Sequence, residues 1–348
     1  MRTTTSRFKA MSLAVGLGLA WTLVLSPTTS QADPISVQSA MGVGDQWRCS
    51  VSTDVFVSRT AGGDDALSRT VQSAQLTLKA MRLGDDGSIV VQGRFDRLTA
   101  VWRRGETQYE FTYVRPKDEN KADGAADHPV EPNQGARNGA FANVDIVPPA
   151  ENKEPEKPTD ADVFKSAFRV LVSRPFELVV SSEGEITDVV GLGESLRVLA
   201  TAEGLDSSAF GMFLPPKFAE ALEPLWSASG AGAVHQLGDS WEQSRAVDLG
   251  PAGAIELTTT WAADKLKRQT LNCSGALSIT TTKPERVSAS QPSVDIAQAS
   301  GTSSLTWSLA DQRLMEWKED LTLSTRWRLG DIEIKLTQLS KRRLHRLD

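Results

Sequence analysis

Residues 321–336 read LTLSTRWRLGDIEIKL, and their large apolar side chains fall on every second position: Leu321, Leu323 and Trp327, with Thr325 in phase, then Ile332, Ile334 and Leu336. A period of two puts these on one face of an extended strand, the pattern of a half-buried sheet and not of a helix. Upstream, Leu305, Trp307 and Leu309 keep the same alternation, and 314–317 continues it. Further strands are expected through Trp241, 255–261 and 266–281, with a polar Ser/Gln/Ala loop over 284–301. The first half has the same texture. Residues 75–83 alternate, Gly84-Asp85-Asp86-Gly87 is a hairpin turn, and 88–98 returns. Arg104-Gly105 then turns between strands around Trp102 and around Tyr109, Phe111 and Tyr113. An antiparallel meander follows from these spacings.

Two stretches break the pattern. Residues 116–160 are rich in Pro, Glu, Asp, Asn, Lys, Ala and Gly and hold few large apolar side chains beyond Phe141, Val144, Ile146 and Val147. Such a run buries too little surface to offset its ordering entropy and is expected to be a disordered insertion, with a functional loop as the rival reading. After it, Thr159-Asp160-Ala161-Asp162 resembles a capping box, and Phe164, Ala167, Phe168 and Leu171 share one helical face. Shorter helices are expected over 192–203 and 216–226, the last begun by Pro215-Pro216 and ended or kinked by Pro224. Between the first two, Phe176, Leu178 and Val180 alternate, Glu183-Gly184 turns, and 186–190 returns.

One motif recurs. Val43-Gly44-Asp45-Gln46-Trp47 returns as Leu237-Gly238-Asp239-Ser240-Trp241, and the hairpin at Phe176 is echoed by the one at Leu305. Gly44 and Phe176 are 132 residues apart but Gly238 and Leu305 only 67, and the 45-residue insertion plus a 14-residue helix account for most of the excess. Two diverged copies of one β-unit are therefore expected, the first carrying the insertion. Within the motif, Gly allows a tight turn, Asp can bond backbone donors, and Trp anchors the strand in a core. A functional pairing of Asp45 with Asp239 is the alternative to that structural role.

The N-terminus looks like an address. Arg2, Arg7 and Lys9 precede an apolar run over 10–25, and Ser30-Gln31-Ala32 offers a cleavage site, so 1–32 reads as a signal peptide, a retained anchor being the alternative. The run is shorter than the roughly 20 residues a membrane span needs, and no later stretch reads as one, so an integral membrane protein is not expected. Cleavage would remove three positive charges and no negative ones, taking the net charge from −6 to about −9. An acidic chain of this kind has no electrostatic reason to bind nucleic acid. The compartment expected is the periplasm or the extracellular space. There, Cys49 and Cys273 could form one long-loop disulfide; two separate buried thiols are the alternative. The organisation expected is 1–32, then 33–230 as a first β unit with insertion and helices, then 231–348 as a second.

The duplicated Gly-Asp-x-Trp segment, the 176–190 hairpin with Gly184 at its turn, and the helical run from Pro216 to Trp226 before the second copy resemble a family of uncharacterised exported proteins from planctomycete-type bacteria. The resemblance covers most of the chain after residue 32, and the family has no activity to carry over. The outline is also similar to periplasmic lipoprotein carriers and related mycobacterial lipoproteins, whose curved antiparallel half-barrels are lined with apolar side chains and plugged by short helices. That likeness implies a fold and not a function. The fold class expected is mainly β (α+β): two repeated meander units forming curved sheets or a half-barrel, with about three short helices on or between them.

No chemistry announces itself. His128, His235 and His345 are far apart, and the nucleophile-elbow, phosphate-loop and zinc-protease motifs are missing from the sequence. The run from Asp118 to Gly124 only brushes against a calcium-loop pattern, since no Glu closes it. Lys341-Arg342-Arg343-Leu344-His345-Arg346 is a basic run near the C-terminus, read as a solvated strand end or as a contact for anionic lipid or polymer. No cofactor or metal is expected. The function expected is non-enzymatic: an exported envelope protein holding a lipid or lipidated partner in a half-barrel, with an envelope scaffold as the alternative. A hydrolase would need two carboxylates, or a Ser with His235, gathered in a cleft. A strictly dry, packed core with no cavity would sink the lipid reading.

Overall fold

The computed structural model describes residues 35–36, 41–116, 158–202, 204–205, 207–227, 234–235, 237–248, 254–280, 293–329 and 332–347. The expected signal peptide, all but the ends of the 116–160 insertion, His128 and the calcium-like run lie outside them.

The first half of the chain lays down a meander. β2 (Gln46–Ala61), β3 (Asp64–Leu83), β4 (Ile89–Arg104) and β5 (Thr107–Val114) follow one another through tight turns, each antiparallel to the last. α1 (Asp160–Ser173) comes next, then the short hairpin β6 (Phe176–Val180) and β7 (Ile186–Val190), with β6 taking the end of β4 that β5 leaves unpaired. α2 (Gly193–Leu199), two 3₁₀ turns at Ser207–Ala209 and Gly211–Phe213, α3 (Pro215–Leu222) and the single turn α4 (Pro224–Ser227) then cross over to the second half. That half is a second meander: β9 (Ser240–Asp248), β10 (Ala254–Lys267), β11 (Thr270–Thr280), β12 (Ser293–Ser308), β13 (Arg313–Leu329) and β14 (Ile332–Arg346). Two-residue strands β1 (Ile35–Ser36) and β8 (Val234–His235) pair separately.

The two meanders are one sheet. β14 runs antiparallel to β2 from Ile334 opposite Ala61 to Arg346 opposite Cys49, giving twelve strands among the described residues in the order β7-β6-β4-β3-β2-β14-β13-β12-β11-β10-β9, with β5 beside β4. The sheet is mainly β as expected, curved, antiparallel and not closed: β7 and β5 end one wing and β9 the other. No helix among the described residues is long and apolar enough to cross a membrane.

Alternation sorts the faces. On β2, Trp47, Cys49 and Val51 are buried while Gln46 and Arg48 are exposed. Inward residues of β2–β4 join those of β10–β14 and of the helices in one apolar cluster. The helices thus lie in the trough between the wings. Ile255, Leu257, Leu277, Leu321 and Leu323 point the same way and are buried outside that cluster, packing the β9–β13 wing on itself. α1 covers β4 and β5 through a run of aromatic rings: Tyr109 on Phe164, Phe164 on Phe168, and Phe168 on Phe111, Phe210 and Phe213. Each ring so buried is worth about 1.5–3 kcal/mol. The capping box at its start forms, Thr159 Oγ1 accepting from the Asp162 amide and Asp162 Oδ2 from the Thr159 amide.

Three local expectations change. Residues 293–301 are strand, not loop, because they pair with β13 along their whole length, β11 joining at Gly301, and these cross-strand bonds override the weak β-propensity of Ser, Gln and Ala. Residues 255–281 divide at Arg268-Gln269, a two-residue turn with φ of 48° and 63°. Such a turn favours Gly or Asn, so neither side chain announces it. The second helix stops at Leu199, short of 203, whereas the third breaks at Glu223 as expected of Pro224, which has no amide to donate.

Candidate functional site

Residues 207–227 form a plug in the trough. Phe210, Phe213, Phe218, Leu222, Leu225 and Trp226 are its buried face. Phe213 and Phe218 meet Phe95 on β4, and Trp226 stacks on Trp47 at a centroid distance of 5.7 Å. Apolar contact alone would let such a segment slide, so the polar bonds matter.

The first clasp is on β3. Gln72 is 1 % exposed and bonds the plug backbone three times: Nε2 donates to the carbonyls of Ala209 (3.1 Å) and Phe210 (2.9 Å), and Oε1 accepts from the Met212 amide (2.7 Å). Thr70, next on the same face, donates to the Ser208 carbonyl at 3.2 Å. Gly211 sits in the left-handed region at φ 52°, and a Cβ there would come within 2.4 Å of Gln72 Oε1. The loop can wrap Gln72 because this position has no side chain.

The second is ionic. Glu319 on β13 is 3 % exposed and takes both its oxygens to Arg245 Nη2 on β9, at 2.6 and 2.8 Å. Glu220 on α3 accepts from Lys217 Nζ (2.8 Å) and from Arg342 Nη1 on β14 (3.1 Å), and Arg342 Nε lies 4.0 Å from Glu319. Three cations and two carboxylates thus tie the plug helix to the sheet's central seam and to its β9 edge. Burial pushes the Glu220 carboxyl up, but the charges of Arg342, Lys217 and Arg245 outweigh it and hold the group below the ordinary glutamate value of 4.5. A carboxylate depressed by folding contributes stability that is complete above its unfolded value and lost as pH falls through the lower folded one. Unfolding midpoints in urea are therefore expected to drop on acidification from about pH 5 to pH 3, and to drop less in Glu220→Gln.

Beside this network, between plug and wall, lies a cavity of about 50 Å³ lined by Glu220, Gln243, Arg245, Trp261, Trp317 and Glu319. It has room for a water or two and none for an acyl chain. Among the described residues, no three His, Cys, Asp or Glu side chains gather as a metal site.

The residues singled out in the sequence are placed as follows. Gly44 and Gly238 have φ of 94° and 92°, a region only Gly enters freely. Each begins the same backbone exchange: Gly44 donates to the Ala80 carbonyl and Ala80 to Asp45, Gly238 donates to the Ala263 carbonyl and Ala263 to Asp239, with bonds of 2.9–3.0 Å. Trp47 lies opposite Leu78, and Trp241 opposite Trp261. The Asp45 carboxylate accepts from the Gly42 amide at 2.8 Å, and Asp45 and Asp239 start strands on different wings. Of the histidines, His345 is exposed on β14 and His235 lies on β8. The basic run is no free end. It is the seam of the sheet, with Arg342 turned inward to the network, Leu344 buried, and Arg346 over the Trp47 ring at 4.3 Å.

Cys49 on β2 and Cys273 on β11 are buried thiols in the one apolar cluster, with β14, β13 and β12 between their strands. Burial, with the charge of Asp264, pushes the Cys273 thiol up to about 12. Since thiolate is the reactive form, a disulfide-exchange reagent is expected to find almost no thiol in the folded protein and two in denaturant. None under both conditions would mean a bridge.

Gln72, Glu220, Arg245 and Glu319 drew no notice in the sequence, for they share no spacing. A faint signal exists: Gln72 and Glu319 hold the inward phase of their strands, in Thr70-x-Gln72-x-Ala74 and Trp317-x-Glu319-x-Leu321.

No family model matches the chain, and no curated protein matches it in sequence. Among solved structures it is similar to one describing lipid–protein interactions in lipovitellin (8 % identity, 89 % of this chain and 26 % of that one, TM-score 0.37). It is also similar to an outer-membrane channel from Pseudomonas putida F1 (9 % identity, 89 % and 98 %, TM-score 0.20) and to the translocator domain of an autotransporter from Neisseria meningitidis (7 % identity, 89 % and 91 %, TM-score 0.19). The chain spans about a quarter of lipovitellin. Likenesses this distant carry no argument about function.

Proposed function

We propose that this chain is a non-enzymatic exported protein of the cell envelope or its surroundings that holds an apolar ligand, a lipid or the lipid part of a lipidated protein, on the concave face of its open sheet. The packed trough counts against a ligand held beside a seated plug, so the reading rests on one observation: what fills the trough is a single contiguous segment, residues 207–227, and a hydrocarbon would take its room only with that segment lifted. The segment is held by polar clasps at Gln72 and at the Glu220–Glu319 network, and the trough opens at two sheet edges. Lifting the plug would expose an apolar surface without breaking a strand pair. The ionisable groups nearest the trough are committed to one another, which supports binding over catalysis. Export is part of the same reading, with Asp33 as the first residue of the mature chain, checked by N-terminal sequencing.

The test is to purify the protein from its native envelope and analyse an organic extract by mass spectrometry. A lipid at about one per chain supports the proposal; well-folded protein with an empty extract removes it. The second reading, an envelope scaffold presenting a protein-binding surface, is favoured by one fact: the cavity under the plug, at about 50 Å³, holds no lipid while the plug is seated.

A further inference from the structure

The convex face, which the concave-face reading does not use, carries a groove across β14, β2, β3 and β4. The register sets Leu339, Phe56, Arg69 and Arg103 in one cross-strand row. Lys341 and Asp54 stand in a second row, and Leu67 borders Phe56 on the other side. Three strand spacings give the row a length of about 14 Å. The groove has a volume of about 500 Å³. Its floor is apolar and open to solvent, with Leu67 50 % and Leu339 42 % exposed. The surrounding outward positions are mixed: Ser52, Ser58 and Thr60 on β2, Asp65 and Val71 on β3, Val101 on β4, Asp320 and Thr322 on β13 and Thr337 on β14.

Its charge is lopsided. Asp54 gives both oxygens to Arg69, at 2.9 and 2.7 Å, which neutralises that pair. Arg103 spends only its Nε–H, on the Gly105 carbonyl at 3.2 Å, and Lys341 stands beside the already occupied Asp54. The groove's own lining (Asp54, Arg69, Arg103 and Lys341) thus carries two positive charges in excess, with Asp320 on β13 opposite Lys341 at its rim. All four floor strands are hydrogen-bonded on both sides, so the groove offers no backbone donor or acceptor. A peptide laid across it would leave amide groups without partners, whereas a hydrocarbon has none to satisfy.

We propose that this convex groove binds one free long-chain carboxylate, its hydrocarbon along Phe56, Leu67 and Leu339 and its anionic end at Lys341 and Arg103. The test is calorimetric titration of the full chain with dodecanoate below its micelle concentration. Dodecyltrimethylammonium, with the same chain and the opposite charge, is the comparison. One equivalent of dodecanoate is expected, with the cation at least tenfold weaker. Leu339→Glu should weaken dodecanoate more than tenfold, and Arg103→Glu with Lys341→Glu about tenfold. All three side chains are on the surface, so an unchanged urea midpoint will show that the variants fold. Any of three results overturns the proposal: no binding of dodecanoate, equal binding of the two heads, or full binding by Leu339→Glu, which would move the ligand elsewhere, the trough included. Leu339-dependent retention on phosphatidylglycerol vesicles without binding of free dodecanoate would replace it with a membrane contact.

Discussion

Leucine in place of Gln72 is expected to lower the stability of the chain by about 3–4 kcal/mol and to free the plug before it unfolds the sheet. The two side chains are close in size, so packing changes little. What changes is that the Met212 amide and the Ala209 carbonyl lose their bonds to Gln72 while still buried, and the Phe210 carbonyl keeps only its bond to Phe213. Each buried group without a partner costs about 1–3 kcal/mol, somewhat less for a carbonyl with two lone pairs. Gly211→Ala should act at the same place from the other side, since its methyl group would meet the Gln72 carboxamide. Hydrogen exchange checks the local claim: amides of 209–213 should exchange faster in both variants, while those of β2, β14 and β13 keep their protection. If the plug guards an apolar trough, Gln72→Leu should also take up an apolar dye more readily. Exchange that rises evenly across the sheet would mean that plug and sheet open together, and gating would be lost as an idea.

Glu319→Ala is the second large effect, expected at about 2–4 kcal/mol. Removing one partner of a buried ion pair leaves the other charge without compensation and costs about 3–5 kcal/mol in a dry site. Arg245 and Arg342 keep some contact with water, with side chains 26 % and 15 % exposed, which argues for the lower part of the range. Arg245 would keep only Glu220, at 3.9 Å, which Arg342 and Lys217 already share. The β9 edge and the plug should therefore loosen together. A double variant with Arg245→Met should recover part of the loss, because it removes the stranded cation and leaves an apolar stem. Equilibrium unfolding of the two single variants and the double one measures the coupling, and strictly additive losses would show that the pair is not a unit.

Two kinds of information separate in this protein. Alternation at Leu321–Trp327 and Ile332–Leu336, the turns at Gly84–Gly87, Gly105 and Gly184, the capping box at Thr159 and the break before Pro224 are local, and each follows from chain geometry over a few residues. These features by themselves determined a mainly β chain with a few short helices. They could not reach what depends on partners distant in sequence. Residues 293–301 become strand only because β13 pairs with them. Arg268 and Gln269 accept positive φ because the hairpin around them holds it. The basic run at 341–346 looks like a tail until β2 pairs with it and turns it into the seam. Gln72 and Glu319 read as ordinary polar residues until the tertiary fold brings to them the backbone of 209–212 and the guanidinium of Arg245, from 137 and 74 positions away. Period and turn chemistry act within a few residues, so the sequence determined the strands. Burial, pairing and charge compensation act across the folded chain, so the tertiary structure alone decided which polar side chains hold the plug and which cations are left facing the convex groove.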